Sequence, residues 1–402
     1  MPGRHFLFVP GPTNVPDRIQ RAMMVPMADH RSSRFPELSK PVFAGLKEVF
    51  QCREGEAFVF CATGTGAWEA ALTNTLSPGD RVLAPRFGQF SHLWIDMMQR
   101  LGLDVQVIDC EWGTGAPEDR IEEALRADTA HRIKGVMVVH NETATGVTSD
   151  LARIRRAMDA ARHPALFYVD AVSSLASIDL RFSDWRVDVC IAGSQKGLMM
   201  PAGLGLLCAS PAALEARHAA QSRRVFFDFN DMLRLNADGY FPYTPSIPLL
   251  HGLREAMAML KEEGLAAVFR RHARLAAGVR EAIEAWGLEL CAKAPHWYSN
   301  TVSTIMVPAG KDGARVVDVA FRKYDLALGA GLGRLAGKAF RIGHLGDLNE
   351  LMLAGALSGA EMALADAGIE IVPGSGVGAA QEYWRTGLTS GERHGRRLVA
   401  NG

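Results

Sequence analysis

Lys196 is the residue to explain first. It follows an apolar run, "VDVCIAG" (187–193), and is flanked by Ser194, Gln195 and Gly197 with no charged neighbour. A lysine drawn partly out of water loses proton affinity, and its neutral amine can condense with an aldehyde to form a Schiff base. The ordinary role for a single lysine after a strand is a solvated anchor, so its partners must decide. Asp170 ends a second apolar run, "ALFYVD" (165–170), where a carboxylate is costly unless a cation or donor meets it. "ATGTGAWEAAL" (62–72) is a glycine turn opening into a helix, which aims free N–H groups and the positive end of a helix dipole at an anion. Asn141, Glu142 and Thr143 follow a further run, "IKGVMVVH" (133–140).

These groups fit one cofactor. An anion cradle at Thr63, Gly64 and Thr65, a carboxylate at Asp170 for a protonated ring nitrogen, and a Schiff-base lysine at Lys196 match pyridoxal phosphate, PLP. The glycine turn is not a dinucleotide fingerprint, because Glu69 stands where the third glycine would be, and it lacks the Gly-Lys-Ser/Thr of a nucleotide loop. Each residue also has a plainer reading. The turn could serve packing alone, and Asp170 could cap the following "AVSSLAS".

The elements that must position these residues alternate. Strand-like runs at 57–61, 80–85, 104–109, 133–140, 165–170, 187–193 and 203–209 are interleaved with helical stretches such as 66–76, 91–101 and 150–162. The central runs are continuously apolar, as in strands buried on both faces, and the alternation predicts an α/β fold with a doubly wound, mostly parallel sheet. Ligands of such sheets bind beyond the carboxyl ends of the strands, where all four polar groups fall. After residue 245 the pattern changes to helices at 248–262 and 265–286, broken at Gly264. Short strands and helices at 312–323 and 347–365 follow, as in a smaller α+β domain. The expected division is an N-terminal segment 1–21, a large domain 22–262, a small domain 263–385 and a flexible tail 386–402.

Composition narrows the partners. The 402 residues carry 44 Lys+Arg against 44 Asp+Glu, so no basic excess drives nucleic-acid or anionic-membrane binding. The first sixteen residues lack the apolar stretch of a signal peptide, and no run is long enough to span a membrane. The six cysteines are scattered, and Cys61, Cys190 and Cys208 lie in apolar runs and read as buried free thiols, which suits a reducing cytoplasm. No His/Cys/Asp/Glu group has metal-ligand spacing.

The motifs "HNETATGV" (140–147), "VDAVSSLAS" (169–177), "SQKGLMMPAGLG" (194–205), "FPYTP" (241–245) and "FRIGHLG" (340–346) together resemble the class V, fold-type I PLP aminotransferases. Within that class the likeness is to the serine–glyoxylate and alanine–glyoxylate aminotransferases, from "FVPGPTNVP" (8–16) to "GSGVGAAQEYWR" (374–385). The resemblance implies Lys196 as the Schiff-base lysine, Asp170 on the pyridinium nitrogen, and Thr63, Gly64, Thr65 and Gln195 on the phosphate. It implies Phe90 stacked on the ring where many relatives carry tryptophan, and Thr143 on the phenolic oxygen. Arg341 would clamp the substrate carboxylate, while Tyr243 and Thr244 would reach the phosphate of a neighbouring subunit in a homodimer. Phe90 could instead be core packing, Arg341 a surface ion pair, and Tyr243-Thr244 a turn before Pro245; His140 and His344 read as core or rim histidines.

The implied reaction passes an amino group from a small L-amino acid to glyoxylate, giving glycine and an oxoacid. Serine, yielding hydroxypyruvate, is favoured as donor because aspartate needs a second cation. Arg31, Arg34 and Arg334 are the candidates for that cation, and alanine is a third donor. Two rivals stay open: a PLP lyase or desulfurase, for which Cys291 is the one candidate nucleophile, and a non-catalytic metabolite-binding module.

Overall fold

The computed structural model describes residues 3–389 and Gly391; most of the tail expected from 386 lies outside them. A seven-stranded sheet runs in the order Glu56–Cys61, Leu204–Ala209, Val189–Gly193, Leu166–Asp170, Ile133–Val139, Arg81–Arg86, Asp104–Asp109. Helices cover it on both faces, so the interior strands Val189–Gly193 and Leu204–Ala209 are apolar and buried at every position. Six strands are parallel, and Leu204–Ala209 is antiparallel to both neighbours. That strand returns directly from the turn carrying Lys196, so it starts at the edge where its neighbours end: Leu204 pairs with Cys61 and Gly205 with Gly193.

The register gathers the functional ends. Val139 pairs with Asp170 and Asp170 with Ile191, so the turns at 140–146, 171–177 and 194–203 leave from one rim. The helix after Glu56–Cys61 begins at Gly64, two residues before the expected 66, and leaves the Gly64, Thr65 and Gly66 N–H groups in its first turn. The helices Ile247–Glu263 and Leu265–Ala285 meet at Gly264, whose φ of 81° breaks the rod as anticipated.

A five-stranded sheet, in the order Phe6–Phe8, Leu326–Ala330, Ala339–Gly343, Val302–Met306, Glu289–Leu290, forms the second layer. Its core, built on Phe8, Leu275, Ile283, Phe340, Ile342 and Leu357, is separate from the core of the large sheet. Helix Leu265–Ala285 joins the two, with Val268 in the first core and Leu275, Val279 and Ile283 in the second. The strand Phe6–Phe8 pairs parallel with Leu326–Ala330 (Phe6 opposite Leu326), so it belongs to the second layer although it precedes the large sheet in the chain. Residues 10–13 then cross to the rim of the large sheet, where Thr13 N–H donates to Gln195 O at 3.2 Å.

Helix Ser375–Thr386 lies in close contact with Leu265–Ala285, and Gly278 is where the Trp384 indole packs onto the other helix. A Cβ there would overlap the Trp384 indole and lie 2.8 Å from its Cδ1. Alanine in a helix gains about 1 kcal/mol over glycine, but overpacking costs about 1–3 kcal/mol. Gly278→Ala is therefore expected to lower the thermal midpoint, read by circular dichroism; an unchanged or higher midpoint would show that the two helices part without cost.

Candidate active site

Thr63, Gly64, Thr65, Trp68, Phe90, Asn141, Thr143, Asp170, Val172, Ser173, Gln195 and Lys196 line one cleft of about 550 Å³ at the rim. Eight of these are residues expected from the sequence. The Gly64 turn fits tightly against its neighbour, since a Cβ there would come within 2.6 Å of Val172 Cγ2. Thr63 takes the N-cap position with extended φ and ψ of −121° and 178°, and its side chain caps nothing, which leaves the hydroxyl for a ligand.

Asp170 is 4% exposed, and its Oδ1 accepts a hydrogen bond from Val172 N–H at 2.8 Å. This is a local turn bond, not the helix cap that was its plainer reading, because no helix follows it before Val189. Burial pushes the Asp170 pKa up to about 7, and the Glu142 charge pushes the same way against the pull of Val172 N–H, Trp68 and Lys196. Lys196 shows the mirror effect: burial, then the Arg341 charge, draws its ammonium down to about 8, with Asp170 opposing. Burial thus draws the carboxylate and the lysine toward neutrality from opposite sides, as at sites that do proton chemistry.

The N-terminal segment holds Lys196 down. Lys196 Nζ donates to Pro10 O, and Thr13 Oγ1 donates to Lys196 O at 3.3 Å. Gly11, at φ 101°, lies under the lysine stem; a Cβ there would overlap Cδ and Nζ and sit 2.6 Å from Cε.

Arg341 is 8% exposed on Ala339–Gly343 and does not line the cleft itself. It is no surface ion pair: Nε donates to Ala330 O at 2.8 Å and Nη1 to Thr143 O at 3.2 Å, behind the wall that carries Thr143. Burial brings its pKa down to about 10, with the Glu142 carboxylate opposing. Phe90 opens helix Gln89–Arg100, half-buried, with its ring at the cleft and its flank on the large core.

Tyr243 and Thr244 do not reach this cleft within one chain. They line a separate apolar pocket with Cys61, Phe226 and Phe241, where Tyr243 stacks on Phe226 at 5.1 Å. Cys61, expected to be buried, is exposed: as the last residue of its strand it emerges at the rim beside this pocket. Arg31 and Arg34 are exposed, and Arg334 lies over the Trp112 ring at 5.6 Å; none lines the cleft. Cys291 sits in a different groove with Trp112, its thiol pushed up to about 11 by burial. His140 and His344 are both buried, bonded to Ser174 and Ser303 at 2.9 and 3.0 Å.

Trp68, Val172 and Ser173 were not singled out from the sequence, and Asn141 was noted only as a polar residue at a strand end, with no role. Trp68 stands one helical turn after Gly64, and that spacing is the signal that could have found it. Its indole stacks on Trp94 at 5.7 Å, and its buried N–H helps to hold down the Asp170 pKa.

This geometry is that of the fold-type I PLP enzymes. The family model for class V aminotransferases matches residues 6–332, and the chain belongs to that family. It is 60% identical over 389 residues to a serine–glyoxylate aminotransferase of Methylorubrum extorquens, covering 96% of this chain and 97% of the relative. It is 51% identical to an L-aspartate–glyoxylate aminotransferase of Paracoccus denitrificans, covering 96% and 97%. The crystal structure of the ureidoglycine–glyoxylate aminotransferase of Bacillus subtilis superposes with a TM-score of 0.88 at 28% identity, covering 96% of this chain and 99% of that one.

The family's cofactor, PLP, fits the residues present. The cleft offers a buried carboxylate without a salt-bridge partner, a glycine turn with free N–H groups, and Gln195, whose buried Oε1 lacks a hydrogen-bond partner. The lowered Lys196 amine gives a measurable consequence. Its combination with PLP in cofactor-free protein should accelerate with pH and level off above about pH 8, some two units below an ordinary lysine. Stopped-flow absorbance across pH 6–11 reads this, and a rate still climbing at pH 10 would mean the amine is not depressed.

Proposed function

We propose that this chain is a PLP-dependent transaminase that moves the amino group of a small L-amino acid, serine before aspartate or alanine, to glyoxylate, yielding glycine and an oxoacid. The observation that carries it is the placement of Lys196 and Asp170 in one cleft with pKa values converging on neutrality. When bound, the cofactor supplies an electron sink for the substrate's α-carbon.

The chain's own groups do the rest. Lys196 Nζ would hold the cofactor and would take and return the proton at the α-carbon, for which a pKa of about 8 suits both directions. Asp170 would accept from the ring N–H and so stay ionised despite its burial. The first-turn N–H groups from Gly64, with Thr63, Thr65 and Gln195, bind the phosphate. Phe90 would cover the cofactor ring and exclude water, Thr143 would donate to the phenolic oxygen, and Arg341 would hold the carboxylate common to both substrates with the guanidinium nitrogen that neither Ala330 O nor Thr143 O engages.

The serine preference rests on charge. Lys196 is the one cation lining the cleft among the described residues, with Arg341 behind Thr143, so a second substrate carboxylate finds no partner there. The relatives are named for serine at 60% identity and for aspartate at 51%, which keeps aspartate as the second reading. A desulfurase has no support from Cys291, whose thiol lies outside the cleft.

We further propose a cytoplasmic homodimer in which Tyr243 and Thr244 of each chain complete the phosphate site of the other. Their pocket opens beside exposed Val225 and Phe226, apolar surface that a second copy would cover. The two cores support a division near residue 262 between a large and a small domain. Among the described residues no helix is long and apolar enough to cross a membrane.

The test is an absorbance scan of the purified protein with PLP. A visible band is expected, bleached by L-serine more readily than by L-aspartate and restored by glyoxylate, and absent in Lys196→Ala. No band after PLP incubation would sink the enzyme reading, whereas faster bleaching by aspartate would reverse the donor order.

A further inference from the structure

Glu142 is fully buried, at 0% exposure, one residue before Thr143, and the mechanism above does not use it. No lysine or arginine forms a salt bridge with it among the described residues. Instead its carboxylate collects backbone N–H groups from two directions. Oε2 accepts from Ser91 N–H at 2.9 Å and Oε1 from Phe90 N–H at 3.2 Å, both in the first turn of helix Gln89–Arg100. Oε1 also accepts from Ala144 N–H at 3.2 Å, and Glu142 O accepts from Gly146 N–H at 2.9 Å, which closes the turn 142–146 on itself.

A carboxylate at a helix N-terminus satisfies donors that the helix cannot, and the helix dipole favours its charge. Here the same carboxylate reaches into a turn from a different part of the chain. Phe90 rides on the helix, Thr143 rides on the turn, and Thr143 O is the acceptor that fixes Arg341 Nη1 at 3.2 Å. Three groups assigned above to the cofactor face, the phenolic oxygen and the substrate carboxylate thus take their positions from one side chain.

Gly88 records how closely Glu142 is held. Its φ of −175° is extended backbone open to any residue, so conformation does not require glycine there. Space does: a Cβ at position 88 would overlap Glu142 Cγ and Cδ and sit 2.6 Å from Oε2. Burial pushes the Glu142 carboxyl up, and the Ser91, Ala144 and Phe90 N–H groups oppose it; the same carboxylate in turn supports the Arg341 charge against burial.

We propose that Glu142 is a positioning residue of the active site, fixing Phe90 and Thr143, and through Thr143 the Arg341 guanidinium, relative to one another from a single carboxylate. The proposal rests on the PLP reading above. It separates two effects that a helix cap alone would merge, the stability of the fold and the affinity of the cleft.

The experiment compares wild type, Glu142→Gln and Gly88→Ala. Glu142→Gln keeps the shape but turns an NH₂ toward one of the three donors; Gly88→Ala keeps the charge but displaces it. PLP affinity of the cofactor-free proteins is measured by quenching of the protein's tryptophan fluorescence, to which Trp68 in the cleft contributes, and thermal midpoints are recorded on the same samples. At saturating PLP, KM and kcat are measured for glyoxylate.

Both variants are expected to bind PLP about tenfold or more weaker and to raise KM for glyoxylate several-fold, with kcat changed less. A midpoint lowered with PLP affinity and KM within twofold of wild type, in whichever variant folds, would overturn the proposal and leave Glu142 as a helix cap. Failure of wild type itself to bind PLP is a different result, and it removes the functional reading instead.

Discussion

Charge taken out of water at the carboxyl rim of the large sheet is the constraint on which the rest of this structure depends. Asp170, Glu142, Lys196 and Arg341 are brought within electrostatic reach of one another, and desolvation is the largest influence on each. Two acids and two bases in so small a volume balance overall, but none is paired with another by a salt bridge. Backbone groups carry the compensation instead: Val172 N–H for Asp170, three N–H groups for Glu142, two carbonyls for Arg341 and one for Lys196. A buried pair in direct contact gains Coulomb energy and is locked together. Charges held apart by backbone stay individually available to a ligand that carries both signs.

That arrangement explains the division of labour between the two layers. The large sheet supplies the rim, because parallel strands buried on both faces end together and their turns must leave on the same side. The second layer brings what the rim lacks, Arg341 from its middle strand and the Pro10–Thr13 crossing that covers Lys196. Lys196 is accordingly shielded by a segment that begins in the other layer's sheet. Its amine loses hydration without gaining a fixed counter-ion, and this places it near pH 8 rather than in the ordinary lysine range.

What the sequence made legible follows the same physics. Lys196, Asp170 and the Thr63–Thr65 turn could be read because each closes an apolar run, and the sheet's topology turns shared position into shared space. The helix break at Gly264 was legible from the glycine, and the stretch 150–162 read as helical; the structure adds the Asp150 cap, whose side chain accepts from Arg153 N–H at 2.9 Å. The strand Phe6–Phe8 was not, because three residues carry no period and its partner lies some 320 residues away. Leu326–Ala330 was missed for a similar reason: "LALGA" is short and ends in small residues. Cys61 was misread because an apolar run says nothing of how its last residue emerges.

Glu142 and Gly11 show the limit most clearly. Glu142 stands in a motif that any reader would quote, yet nothing local distinguishes it from a solvated acid; its donors come from residues 90 and 91, some fifty positions earlier. Gly11 reads as part of a proline-rich turn until Lys196 is seen lying across it. In both cases the constraint is the space or donors offered by a distant segment, so residue type is set by a contact that sequence proximity does not contain. A close approach of this kind leaves one trace, a glycine without a conformational reason. Gly88, extended at φ −175° and still closed to a Cβ, is that trace, and it points back to the carboxylate that fills its place.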